Sequence, residues 1–294
     1  VAYSAGADST ALLLAAHERW PGRLWAIHVH HGLQSAADGF ERTAREVCER
    51  LGVTLTVLRV DATHASGQSP EDAARRARYR ALADEAALIQ ADVVLLGQHA
   101  DDQVETVLLA LSRGAGLPGL AGMAERFERG GMVFGRPVLS LTAQSMREWL
   151  LAEGHPFVDD PTNSDPRYTR NRIRAVLTPA LQVCFPGYRE AIARSARHAA
   201  QAQVLLEDMA GLDLAATGEP PAIGSLQGLA RARQANALRL WVKRTAGSAP
   251  SEVQLEELLD QIDACRTRGH QLRIRVAGGF VLRDGDHLRY EAPI

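Results

Sequence analysis

A chain of 294 residues that is 46% apolar has the material for one large or two modest globular domains. Its net charge of −2 excludes a uniformly basic nucleic-acid binder. No window carries the roughly eighteen uninterrupted apolar residues of a membrane helix, so no membrane partner is expected. Cys48, Cys184 and Cys265 are scattered and form no CxxC pair, which excludes a disulfide framework or a cysteine zinc site and fits a reducing cytoplasm. Lys243 is the only lysine, in "WVKRT", so the lysine-bearing phosphate loop is excluded as well. The chain opens without Met, inside a strand, and we expect a further N-terminal piece.

In chain order, "VAYS" reads as the end of a strand and Ser9 to Trp20 as a helix. "RLWAIHVH" (23–30) is a second strand, Asp38 to Leu51 has helical period, and "TLTVLRV" (54–60) is strand-like. Pro70 to Gln90 is a long helix with proline in its first turn, "ADVVLLG" (91–97) a strand, and Asp101 to Arg113 a helix closed by Gly114. "MVFGRPVL" is a further strand, followed by a helix from Thr142 to Glu153. Nearly all-apolar strands alternating with helices predict an α/β fold, a parallel sheet covered on both faces. Beyond Gly187 the pattern changes: helices over Tyr188–Gly211, Leu226–Thr245 and Glu252–Arg266 precede a small hairpin or meander in "QLRIRVAGGFVLRDGDHLRYEA". We expect a catalytic domain over 1–187 and a smaller, mostly helical α+β domain over 188–294.

In "SAGADS" (4–9), a strand breaks through small residues into a helix. In a parallel sheet such a turn aims backbone N–H groups and a helix N-terminus at the ligand crevice. Gly6 supplies the freest backbone, Ala5 and Ala7 are nearly as small, and the hydroxyls of Ser4 and Ser9 can donate to phosphate. Asp8 either meets phosphate through a divalent cation or caps the helix. On its own the turn leaves both open. A second stretch, "GQHADDQVETVLLALSRGAGLPGLAGM" (97–123), follows a strand and opens a helix on which Asp101, Asp102 and Glu105 crowd one face beside His99. These acids could hold Mg²⁺ or an ammonium group, and Arg113 could reach a phosphate. The alternative is a capping box with acids that suit the helix dipole, which does not explain His99.

"SAGADS" resembles the SGGxDS loop of the PP-loop ATP pyrophosphatases, with Ala5 in place of the first glycine. Together with "HVHHGLQ" (28–34), the 97–123 stretch and "DDPTNSDPRYTRNRIR" (159–174), in that order, it resembles the tRNA(Ile)-lysidine synthetase family. "RVAGGFVLRDGDHLRY" is similar to that family's first C-terminal, substrate-binding domain; a second such domain is not seen, so a short form is expected. His30 and Gln34 depart from the commoner Asn and basic residue, and one phosphate or RNA contact there is expected to be lost or moved.

The resemblance implies a PP-loop, Rossmann-like catalytic domain and a two-step reaction. ATP adenylates the carbon-2 oxygen of the wobble cytidine of tRNA(Ile) with anticodon CAU, and lysine's side-chain amine then displaces AMP. It implies ATP and Mg²⁺ as cofactors and that tRNA and free lysine as partners; a homodimer stays open. Asp8, Asp101, Asp102 and Glu105 are the catalytic candidates. Ser4, Ala5, Gly6, Ala7, Asp8, Ser9, His31 and Arg113 are assigned to ATP. His99, Asn163, Asp165, Arg170, Arg172 and Arg174 are assigned to the substrate or RNA, and Asp8 with Asp102 to the metal. If 169–174 is helical, Arg170 and Arg174 share a face and Arg172 points elsewhere. His17, His28, His30, His155, Trp149, Trp241 and Phe157 read as packing or surface residues, and Arg189, Arg194 and Arg197 are as well explained by surface charge. A tRNA sulfur transferase would want cysteines beside the motifs. A glutamine-dependent amidotransferase would need a further domain, and a plain RNA-binding module would be weakened by the acids.

Overall fold

The computed structural model describes residues 1–30, 37–60, 70–160, 165–267 and 270–292. By packing, the chain divides into two compact units, Val1–His198 and Ala199–Ile294.

The first unit is organised around its opening residues. The Ala2 N–H donates to the Leu95 carbonyl (2.9 Å) on one side. On the other side the Tyr3 N–H donates to Ile27 and the Ile27 N–H to Val1, each at 2.8 Å. This short central segment leads into α1 (Ala7–Arg19) and then β1 (Trp25–His30). After α2 (Ala37–Leu51), β2 (Thr54–Arg59) pairs parallel with β1, from Trp25 opposite Thr54 to His30 opposite Arg59. Helix α3 (Pro70–Leu88) then carries the chain to the other side of the opening segment, where β3 is only Val94–Leu95. The opening segment thus stands where the chain turns from building one half of the sheet to building the other, and crevices in such sheets form at that reversal.

Helix α4 (Ala100–Ser112), the short α5 (Leu117–Leu120) and a hairpin of β4 (Arg126–Arg129) and β5 (Met132–Gly135) follow. β5 is parallel to β3, whereas β4 pairs antiparallel with it at the outside. The expected all-parallel sheet therefore ends in an antiparallel edge. The tight Gly130–Gly131 turn, both residues at positive φ, reverses the chain at once and leaves no room for a crossover helix. Helix α6 (Ala143–Ala152) packs beside α1.

Two apolar layers sandwich this sheet. Tyr3, Leu13, Ala16, Val47, Cys48 and Leu150 are buried together on one face. Ile27, Tyr79, Leu82, Ala86 and Phe134 are buried on the other. The Tyr79 ring meets Phe134 edge-on at 5.2 Å. Each fully buried large side chain contributes about 1.5–3 kcal/mol through removal from water. Burial also pushes the Cys48 thiol up to about 11, as befits a packing residue.

After α7 (Thr169–Arg172), a π-helical turn over Ile173–Leu177 and α8 (Thr178–Cys184), the long helix α9 (Tyr188–Thr217) begins. The packing division falls inside it, between His198 and Ala199, rather than at the expected 187/188. Its first turn belongs with the first unit, because Tyr188 is buried and Arg189 bonds Asp101. The second unit holds the rest of α9, then α10 (Ile223–Gln227), α11 (Arg231–Ala246), α12 (Glu252–Ala264) and an antiparallel meander of β6 (Arg273–Val276), β7 (Gly279–Asp284) and β8 (His287–Glu291). Leu214, Leu226, Leu238, Leu258, Ile262 and Val281 form its own core. Gly247, at φ +73°, ends α11, and Ser251 caps α12 by accepting from the Gln254 N–H. No helix among the described residues is long and apolar enough to cross a membrane.

Gly97, just past β3, is a close backbone approach between the two motif-bearing stretches. A Cβ there would lie 3.2 Å from the carbonyl carbon and oxygen of Asp8 and from the Ser9 nitrogen, all backbone atoms. Gly97→Ala should therefore destabilise the chain by about 1–3 kcal/mol, read as a lower urea midpoint at unchanged m-value.

Candidate active site

The bend between the opening segment and α1 is held by its own side chains. The Ser9 hydroxyl accepts from the Ser4 N–H (3.1 Å) and donates to the Gly6 carbonyl (3.1 Å). Thr10 Oγ1 also donates to Gly6 O (2.9 Å). Buried Ser9 is thus occupied in shaping the bend, while Ser4 stays exposed. Gly6 is the N-cap of α1, and no side chain caps the helix. Of the two roles that the sequence leaves open for Asp8, capping is therefore not the one it takes. Its carboxylate is turned toward His99, with Oδ2 3.5 Å from Nε2. The uncapped first turn leaves N–H groups and the positive end of the helix dipole facing outward, a setting suited to an anion. Ala5 takes φ +64°, the left-handed region where glycine is the usual occupant, and its methyl is fully buried.

His99 precedes α4 and is almost fully buried. Its Nε2 lies 3.4 Å from Asp102 Oδ2 as well as facing Asp8, and its Nδ1 lies 3.6 Å from Asp101 Oδ2. Burial opposes a charge on this ring, but the Asp8 hydrogen bond and the Asp102, Asp8 and Asp101 charges outweigh it and raise the pKa. Asp101 is itself spoken for. Burial alone would raise its pKa, yet the Ala143 N–H (3.0 Å) and Arg189 Nε (2.6 Å) hold it below the ordinary carboxylate value.

Glu105 is buried to 1% exposure and is gripped from the far end of the domain's sequence. Arg170 Nη1 donates to its Oε2 (3.1 Å), Arg174 Nη2 does the same at 3.2 Å, and Arg174 Nε donates to Oε1. Arg174 also reaches Asp102 Oδ1 at 3.2 Å. The π-helical turn at 173–177 carries Arg174, an irregularity that often accompanies functional sites. As the spacing predicts, Arg172 points elsewhere: it donates to the carbonyls of Pro166 (2.9 Å) and Arg167 (3.1 Å), so it bonds its own turn rather than the acids. Asp165 is paired with Arg167, and its carbonyl accepts from buried Asn171. Arg113 caps the C-terminal end of α4, about 20 Å along the helix from His99, so the structure does not bring it to the acids. His31, Gln34 and Asn163 lie outside the described residues.

The cluster therefore joins the first loop, the start of α4 and the arginine-rich stretch in one place. Comparison with known proteins gives the same joining a family. The PP-loop domain matches residues 1–181, and the TilS substrate binding domain matches 222–289. A tRNA(Ile)-lysidine synthase of Polaromonas naphthalenivorans is 60% identical over 99% of this chain and 88% of its own. That of Bordetella pertussis is 40% identical over 94% and 89%. This chain belongs to the tRNA(Ile)-lysidine synthase family. It spans 61% of the Burkholderia pseudomallei member, at 42% identity over 99% of the present chain. Among solved structures, a U34-tRNA thiolase from Methanococcus maripaludis shares the fold, with TM-score 0.58, 17% identity and coverage of 67% of this chain and 70% of that one.

Within this lysidine synthase family member, the structure adds residues that the sequence did not single out. Arg189, read there as surface charge, binds Asp101. Gly97 permits the backbone approach between loop and α4. Buried Arg136 donates to Gln98 Oε1 (2.8 Å), next to His99 in the chain, and packs on the Phe127 ring (4.3 Å). Gln103, also buried, brackets Met123 with both ends of its amide, accepting from its N–H (2.7 Å) and donating to its carbonyl (3.2 Å). Gly122 must be glycine for that contact, since a Cβ would fall 2.7 Å from Gln103 Oε1.

The pairing of the acids sets the cost of breaking it. Glu105→Gln leaves two arginines that can turn to water, and should cost about 1–3 kcal/mol. Arg170→Met combined with Arg174→Met strands a buried carboxylate and should cost more, about 3–5 kcal/mol; urea unfolding measures both. His99, with its folded pKa above the unfolded 6.5, adds stability that is complete below that pH and is lost as pH rises through the raised value. In metal-free buffer the stability gap between the parent and His99→Gln should accordingly shrink as pH rises above 6.5.

Proposed function

We propose that this chain ligates lysine to carbon-2 of the wobble cytidine of tRNA(Ile) bearing the CAU anticodon, consuming ATP and releasing AMP and pyrophosphate. The observation that carries the reading is the meeting of Asp8, from the loop, and Asp102, from α4, on the same nitrogen of His99. It sets a phosphate-accepting helix start beside carboxylates that can serve a metal or an amine, within a chain whose PP-loop domain implies ATP use.

The four acids divide by their pairing. Asp101 and Glu105 are committed to Arg189 and to Arg170 with Arg174. Asp8 is 42% exposed and faces the His99 ring, whereas Asp102 accepts from the His99 N–H through Oδ2 (3.2 Å) and from Arg174 through Oδ1 (3.2 Å), so Asp8 keeps the more open carboxylate. Mg²⁺ fits Asp8 and Asp102, because this ion takes one or two carboxylates and completes its shell with phosphate oxygens and water. Bound there, it would neutralise charge developing on the departing pyrophosphate. The loop N–H groups and the α1 dipole act on the same charge. The attacking atom in the first step is the cytidine oxygen, so the protein supplies position and field and no nucleophile.

In the second step the lysine amine must be unprotonated. We assign to Asp102 the holding of the incoming ammonium and the taking of its proton, a role that its place beside His99 at the start of α4 supports. The arginines of 167–174 and the matched substrate-binding domain would contact RNA phosphates and splayed anticodon bases.

Pyrophosphate release from ATP should require both unmodified tRNA(Ile) transcript and lysine for turnover. Asp8→Asn, a change at a half-exposed position, should leave the melting temperature within a few degrees and lower turnover by about 10²-fold or more. Full turnover by this variant would remove Asp8 from the mechanism.

A further inference from the structure

The left-handed Ala5 is a place where the chain holds an unfavourable shape, and such a residue persists only where its surroundings over-determine it. Its carbonyl accepts a hydrogen bond from the Val158 N–H at 2.9 Å. Val158 lies in an irregular stretch after α6, with no helix or strand of its own to fix it. Arg147, projecting from α6, grips that stretch on both sides of Val158. Its Nη1 and Nη2 donate to the two carboxylate oxygens of Asp159 at 2.7 and 2.6 Å. Its guanidinium also lies over the Phe157 ring, 4.7 Å from the centroid. A planar, bidentate grip of this kind fixes direction as well as distance, which a lysine could not do.

We infer that Arg147 is a positioning residue for ATP. By clamping Phe157 and Asp159 it presents the Val158 N–H to the Ala5 carbonyl, and so holds the phosphate-facing bend in the left-handed shape that glycine would take unaided. The pair is exposed, so its direct worth to global stability is small; its effect is local, on the bend. The inference rests on the reading of this loop as the ATP site.

The test compares Arg147→Met, and separately Asp159→Asn, in the parent chain and in an Ala5→Gly background. Two quantities are read: the Kd for ATP without tRNA, and the exchange protection of the Val158 amide. In the parent chain each variant should weaken ATP binding roughly tenfold, the size expected when a left-handed alanine is freed to relax. In the Ala5→Gly background the same substitutions should change Kd less than about twofold, because glycine needs no clamp. Val158 protection should fall about tenfold with Arg147→Met, as expected for loss of a local tether. Equal losses of affinity in both backgrounds, or Val158 protection that does not change, would overturn the inference. A parent chain that binds no ATP, while Val158 still loosens in Arg147→Met, would instead refute the ATP reading of the loop and leave the clamp standing.

Discussion

The site depends on a contact between two stretches of main chain. Gly97, just past β3, lies against the carbonyl of Asp8 and the nitrogen of Ser9, so close that a Cβ there would come within 3.2 Å of both. This contact follows from the sheet: the opening segment is bonded to Leu95 on one side and Ile27 on the other, so the turns leaving both strands emerge at one edge. Parallel strands make this arrangement general, because their carboxyl ends all lie on the same side. The particular result here is that Asp8 and His99, far apart in the chain, come within 3.5 Å.

That proximity imposes an electrostatic problem, and the rest of the domain answers it. Four carboxylates crowd one corner, and buried charge is costly unless paired. Three arginines and His99 match them. The most deeply buried acid, Glu105, receives two guanidinium groups, whereas the most exposed, Asp8, receives only an imidazole edge. The two extremes follow burial, but Asp101 and Asp102 are equally buried and differ in their partners: Asp101 meets Arg189 and the Ala143 N–H, and Asp102 meets Arg174 and the His99 N–H. The same logic explains why the arginine-rich stretch serves the site in two ways. Arg170 and Arg174 stabilise the acids, and Arg172 ties the preceding turn to itself.

The loop shows a second balance, between local conformation and tertiary support. Ser9 and Thr10 bond back to Gly6, and Val158 bonds to Ala5, so nearly every polar group that could relax the bend is engaged. What stays uncapped is the outward face of the first helical turn, where an anion would sit. The second unit keeps a separate core of α10 to α12 and the meander. Its surface carries its own ion-pair network, in which Arg231 alone meets Glu256, Asp260 and Asp263.

Much of this was legible in the residues. Period and punctuation placed α1, α2, α3, α4 and α6 within a few residues, because proline opens α3 and glycine or proline follows the ends of the others, signals that act locally. The loop, the acids of α4 and the shared face of Arg170 and Arg174 were equally readable, since they depend on spacing within a single turn or helix. The partners of those residues were not. Arg189 meets Asp101 across 88 positions and Arg174 meets Glu105 across 69, and no local period encodes such pairs. The antiparallel edge, the grouping of the first turns of α9 with the first unit and the distance of Arg113 from the acids likewise came from packing. Sequence alone determined which chemical groups this protein carries and the local elements that bear them. Which partner each acid meets was settled by the tertiary structure, because a buried charge is costly unless paired and its partners here come from distant parts of the chain.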